Sequence, residues 1–128
     1  MDQTATHRII VIGGDLHFSY LMRRYLGAGD HQLTFLNYGD DILALAQQNK
    51  PILIVLKVDE AGSPGWITLH ALKSDQNMSH VPIVLCSWLA DEMNSLEHGA
   101  EIYLRLPLLY NDFKSAMLNV GIDLEGRA

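Results

Sequence analysis

The sequence predicts an α/β sandwich: a five-stranded parallel sheet with five helices laid over its two faces. Three observations carry that expectation. Short apolar runs, continuous rather than alternating, suit strands buried on both faces. Amphipathic stretches fall between those runs, which is the βαβ signature. The 128 residues suffice for one core and leave no room for a second of ordinary size. Residues 1–128 are therefore expected as a single domain, with its core over about 8–120 and a polar tail or linker start over 121–128.

Residues 8–12 read as the first strand, because Ile9, Ile10, Val11 and Ile12 form a continuous β-branched run. Residues 16–26 follow as a helix, with Phe18, Leu21, Met22 and Tyr25 recurring at three- and four-residue intervals. Gly27-Ala28-Gly29-Asp30 stops it, and residues 32–36 form the second strand. Asn37 is expected to cap a second helix carrying Ile42, Leu45 and Ala46 on one face. Pro51 opens the most apolar strand, residues 52–56, expected at the centre of the sheet. A Gly- and Pro-rich loop over 59–65 leads to a helix bearing Trp66, Leu69, Ala71 and Leu72. Residues 82–86 are the fourth strand, 91–98 a short fourth helix closed by Gly99, and 102–104 a brief fifth strand. The last helix, 111–120, turns Phe113, Ala116, Met117 and Val120 inward. In an open parallel sheet, ligands bind at the carboxyl ends of the strands where the order reverses. That directs attention to residues 13–15, 57–59, 87–88 and 106–107.

Composition narrows the function classes. Fifteen acidic residues against nine Lys and Arg give a net charge of −6, and no basic run exceeds Arg23-Arg24. A domain that gripped nucleic-acid phosphates by itself needs a basic face, so no direct nucleic-acid role is expected. No apolar run is long enough to cross a bilayer, the first residues lack the apolar stretch of a signal peptide, and a lone cysteine, Cys86, forms no internal disulfide. A cytoplasmic protein without a membrane partner is the expectation. The six histidines show no sequence spacing of the metal-site kind.

Four segments carry a family resemblance. They are the run from Lys50-Pro51 to Leu56, the Gly62-Ser63-Pro64-Gly65-Trp66 loop, Val81-Pro82-Ile83-Val84-Leu85, and Gly99-Ala100-Glu101-Ile102-Tyr103-Leu104 with Pro107. In this order and spacing the chain resembles the receiver domain of bacterial response regulators, from about Arg8 to Val120. The resemblance implies a flavodoxin-like fold with strand order 2-1-3-4-5 and a place in two-component phosphorelay signalling. It also implies that the phosphorylation chemistry is gone. Where receivers carry an acidic pair that holds Mg²⁺, this chain has Gly13 and Gly14, followed by Asp15. Lys57 replaces the phosphoacceptor aspartate, and Leu106 replaces the lysine that steadies the phosphoryl group. Ser87 and Tyr103 keep the usual residue types of the hydroxyl and switch-aromatic positions. Mg²⁺ requires oxygen ligands, and an ammonium group forms no acyl phosphate, so a pseudo-receiver without metal, cofactor or catalysis is expected.

Each site residue also has a plainer reading. Lys57 either snorkels to the surface or pairs with Asp15, Asp59 or Glu60 in the vacated pocket; pairing is preferred, because buried charges are usually paired. Gly13-Gly14 reads as a tight turn, since no phosphate-loop pattern follows it. Trp88 is a surface anchor, a cover over the pocket together with Leu106, or part of a partner surface. The resemblance implies dimer or partner contacts through the fourth helix, fifth strand and fifth helix, including Trp88, Met93, Leu104, Leu108, Leu109 and Tyr110. A sensor kinase or a fused output domain would be the partner. Two rival functions stand beside this one: a small-ligand or anion sensor at residues 13–15 and Lys57, and a flavin- or nucleotide-using enzyme on the same sheet.

Overall fold

Strand β3 (Leu53–Val58) is buried at every position, because it lies in the middle of the sheet with helices on both sides. The computed structural model describes residues 7–27, 31–58, 64–88, 97 and 99–124. Around β3 stand β1 (His7–Ile12), β2 (His31–Leu36), β4 (Ile83–Ser87) and β5 (Ile102–Arg105). All pairings are parallel, and the order is β2-β1-β3-β4-β5, as expected for a flavodoxin-like sheet. Four helices are described: α1 (Leu16–Leu26), α2 (Ile42–Asn49), α3 (Pro64–Ser74) and α4 (Tyr110–Asn119). Of the helix expected over residues 91–98 only Glu97, which is helical, is among the described residues, so α4 is the helix expected as the fifth.

The two-residue alternation of the strands divides the core in two. Ile9, Val11, Leu53, Val55, Val84 and Cys86 pack against Phe18 and Met22 of α1 and Phe113 and Met117 of α4. Ile10, Ile12, Ile54, Leu56, Ile83 and Leu85 pack against Ile42 and Ala46 of α2 and Leu69 and Leu72 of α3. Full burial of each Val, Leu, Ile, Phe or Met among them contributes about 1.5–3 kcal/mol of transfer free energy.

Several local expectations are corrected. Asn37 caps no helix: its N–H donates to the Asp40 carboxylate in a turn, and Asp41 occupies the N-cap position of α2. Leu45 and Ala71 are exposed, and Leu21 and Tyr25 are only half-buried. β3 begins at Leu53 and runs on through Lys57 to Val58, so Lys57 is a strand residue rather than the residue after one. Pro64 belongs to α3 and not to the loop before it; the first turn of a helix has no use for the missing N–H. The stretch after α4 is not simply a polar tail, because Ile122 and Leu124 are buried against the α1/α4 side of the core. Among the described residues, no helix is long and apolar enough to cross a membrane.

Candidate functional site

The sheet order reverses between β1 and β3, and that crevice brings Gly13-Gly14-Asp15, Lys57, Ser87 and Leu106 to the carboxyl ends of neighbouring strands. Gly13 has φ +86° and donates its N–H to the Leu36 carbonyl at 3.0 Å, which ends β1 in a turn. A Cβ placed there would press into the Tyr38 ring, 2.8 Å from Cζ, and would lie 2.9 Å from the Lys57 carbonyl oxygen. The Tyr38 hydroxyl donates to that same carbonyl at 2.9 Å. Tyr38 thus fills the space beside Gly13 that a side chain would need. At Gly14 a Cβ would come within 2.6 Å of the buried Phe18 ring.

Asp15 is the N-cap of α1, its carboxylate accepting from the Phe18 N–H at 2.8 Å. That bond is the main reason its carboxyl lies below the usual value; partial desolvation opposes it, and the positive charges of Lys57 and then His17 add to it. The start of α1, where a bound anion would be favoured, is therefore already served by the chain's own carboxylate.

Lys57 is a buried residue, only 6% exposed. Strand alternation puts it on the α1/α4 side, in register with Cys86 of β4. Burial pushes the Cys86 thiol up to about 12, with Lys57 pulling the other way, so the thiol is protonated and inert. The Ser87 hydroxyl is buried and donates to the Val58 carbonyl at 2.6 Å. Leu106 continues the β4–β5 pairing through its N–H to the Ser87 carbonyl, and its side chain joins the core. The Leu106–Pro107 peptide is cis. Of the three readings of Trp88, the cover over the pocket together with Leu106 is not formed: Leu106 is interior, while Trp88 is 57% exposed, its carbonyl held by Arg105 Nε at 2.9 Å. Asp59, Glu60 and Met93 lie outside the described residues.

Tyr103 is half-buried on the α2/α3 side, and its buried hydroxyl oxygen has no hydrogen-bond partner among the described residues. The apolar trio expected at the start of the last helix is divided. Leu108 is 4% exposed and belongs to the core, and its carbonyl accepts from the Tyr25 hydroxyl at 2.9 Å. Tyr110 is half-buried with its ring edge-on to Tyr25 at 5.3 Å, which leaves Leu109, 60% exposed, as the outward member. Tyr38 is the participant that sequence reasoning missed. An open groove of 390 Å³ between β2 and α2, lined by Arg8, Gln32, Thr34, Gln48 and Asn49 among others, shares no residue with this crevice.

Mg²⁺ is a poor match for this donor set. Gly13 and Gly14 bring no side-chain oxygen, Asp15 is spent on its helix, and Lys57 brings a cation. Among the described residues, no group of three or more His, Cys, Asp or Glu stands together.

No family model matches the chain. It is 29% identical over 105 residues to the transcriptional regulatory protein BaeR of Escherichia coli O6:H1, covering 80% of this chain and 42% of that protein. It is 30% identical over 104 residues to the response regulator PleD of Caulobacter vibrioides, covering 79% of this chain and 23% of that protein. The chain thus spans less than half the length of either relative. Among solved structures, the BeF₃-activated N-terminal receiver domain of Klebsiella pneumoniae RstA superposes with a TM-score of 0.75 at 25% identity, covering 91% of this chain and all of that one. The receiver domain of the sensor histidine kinase PA1611 of Pseudomonas aeruginosa, solved with Mg²⁺ in its active-site cleft, superposes with a TM-score of 0.74. It covers 92% of this chain and all of that one, and at 17% identity it speaks for the fold alone.

Proposed function

We propose that this chain, a receiver domain of the response-regulator class, is a signalling module of a two-component system that acts by protein–protein interaction without aspartyl phosphorylation. One observation carries the reading: a buried lysine stands in β3 where a nucleophilic carboxylate would be needed, beside a glycine whose missing side chain is replaced by the Tyr38 ring. Phosphoryl transfer requires an attacking oxygen and cations set against the spreading charge of the phosphoryl group. Here the cation sits at the attacking position, and the acidic side chains that would bind metal are absent. Tyr38 takes the space beside Gly13, and in this reading the crevice has no catalytic role and takes up neither Mg²⁺ nor a cofactor.

Signal output then rests on surfaces. A sensor kinase or an output domain is the natural partner of a receiver, and the side that includes β5, Trp88 and Leu109 offers exposed apolar area for one. A cytoplasmic setting suits such a partner. The acidic balance argues against direct contact with nucleic acid.

The test is an NMR titration with Mg²⁺ and beryllofluoride. Amide signals of residues 13–15, 57 and 87 should stay in place through millimolar concentrations. Saturable shifts centred on those residues would refute the proposal.

A further inference from the structure

At the opposite end of the sheet, the β1–β2 register pairs His7 with His31. The two residues are 24 positions apart in sequence, so no spacing rule exposes them. Both belong to the alternation that faces α1 and α4, in step with Ile9 and Val11 on one strand and Leu33 and Phe35 on the other. Their ring centroids are 5.9 Å apart, with the planes tilted by 42°.

We infer that this pair is a binding site for a divalent transition-metal ion, held by one ring nitrogen from each histidine and completed by water. Three physical features support it. Two imidazoles bound to one ion through nitrogens at about 2.1 Å have centroids about 5–6 Å apart, and this pair already has that separation. His31 Nδ1 is 3.1 Å from the Leu26 carbonyl oxygen. A carbonyl only accepts, so Nδ1 carries the proton and Nε2 presents its lone pair. A backbone carbonyl that fixes the far nitrogen is how metal-binding histidines are commonly oriented. Finally, Leu26 is the last residue of α1, and the carbonyl end of a helix favours positive charge nearby. Arg23, in that last turn, is held over the Phe35 ring at 4.4 Å.

The ligand class follows from the donors. Two neutral nitrogens select Cu²⁺, Ni²⁺ or Zn²⁺ over Mg²⁺ or Ca²⁺, with Cu²⁺ bound most tightly in the usual order of affinities. This site is separate from the crevice at the carboxyl ends, and it stands whether or not that crevice binds Mg²⁺.

The experiment uses the full chain without an affinity tag and Cu²⁺ as the probe, read by calorimetry and by the nitrogen couplings in the electron paramagnetic resonance spectrum. One equivalent should bind with two nitrogen donors. His7→Gln or His31→Gln should each weaken binding at least tenfold, while His80→Gln should leave it unchanged. A second measurement needs no substitution: Cu²⁺ should broaden the amide signals of residues 7, 8, 31 and 32 before those near residues 17, 70 and 80. Unchanged affinity and spectrum in the double variant His7→Gln/His31→Gln, or broadening that begins at the other histidines, would overturn the assignment.

Discussion

Tyr103 holds a buried hydroxyl with no hydrogen-bond partner among the described residues. Such a group gives up its hydration for no return, at a cost of about 1–3 kcal/mol. Its ring packs well on the α2/α3 side, so Tyr103→Phe keeps the apolar contacts and removes the orphan. The variant should be as stable as the parent or more so, measured as the urea midpoint; a clear loss would mean that the hydroxyl has a partner in solution. Asp15 supplies a second prediction. Its folded carboxyl lies below the usual 3.8, so the stability it contributes is present above that value and is lost as the pH falls through the lowered one. Asp15→Asn keeps a capping oxygen but no charge. Its urea midpoint should depend less on pH than the parent's between roughly pH 2 and 5, and the difference should be small because the carboxylate is exposed. Parallel acid curves for the two chains would contradict the assignment. The tyrosine that fills the crevice was not legible in the sequence. Tyr38 lies in a turn after β2, and only the three-dimensional path of that turn lays its ring over Gly13.

At the scale of elements, the strands and helices were legible because continuous Ile, Leu and Val runs and three-to-four spacing are strong signals. Their ends were less so. β3 runs on through Lys57 because its neighbour β4 continues alongside to Ser87, and a pairing partner is not visible in a local window. The start of α4 shows the same limit. Leu108 and Leu109 are identical and adjacent, yet one turns into the core and the other to solvent, a choice set by where the chain enters the helix. This gives a paired prediction. Leu108→Ala should cost about 2–5 kcal/mol, as buried large-to-small changes do, and should show in thermal and urea unfolding. Leu109→Ser should leave unfolding within about 0.5 kcal/mol of the parent and weaken any self-association seen by analytical ultracentrifugation. If Leu109→Ser unfolds the chain while Leu108→Ala does not, the two burial assignments are reversed.

Across the whole molecule, the order β2-β1-β3-β4-β5 sets one crevice at the carboxyl ends of the strands and gathers there the residues that the receiver resemblance singled out. Gly13, Gly14 and Asp15 follow the end of β1, Lys57 lies near the end of β3 and Ser87 ends β4, so all of them lie at the carboxyl ends of adjacent strands. Their contacts were beyond the reach of the sequence: Asp15 serves its own helix, Ser87 is tied to the β3 backbone, and Leu106 joins the core. Ser87 and Leu106 are turned inward by these contacts, whereas Asp15 stays exposed with its carboxylate on its own helix cap. The sharpest consequence is chemical: the chain should not take up a phosphoryl group. Intact-mass spectrometry after incubation with acetyl phosphate and Mg²⁺ tests it directly. The mass should remain that of the unmodified chain; a stoichiometric phosphoryl adduct, labile to hydroxylamine, would contradict the account.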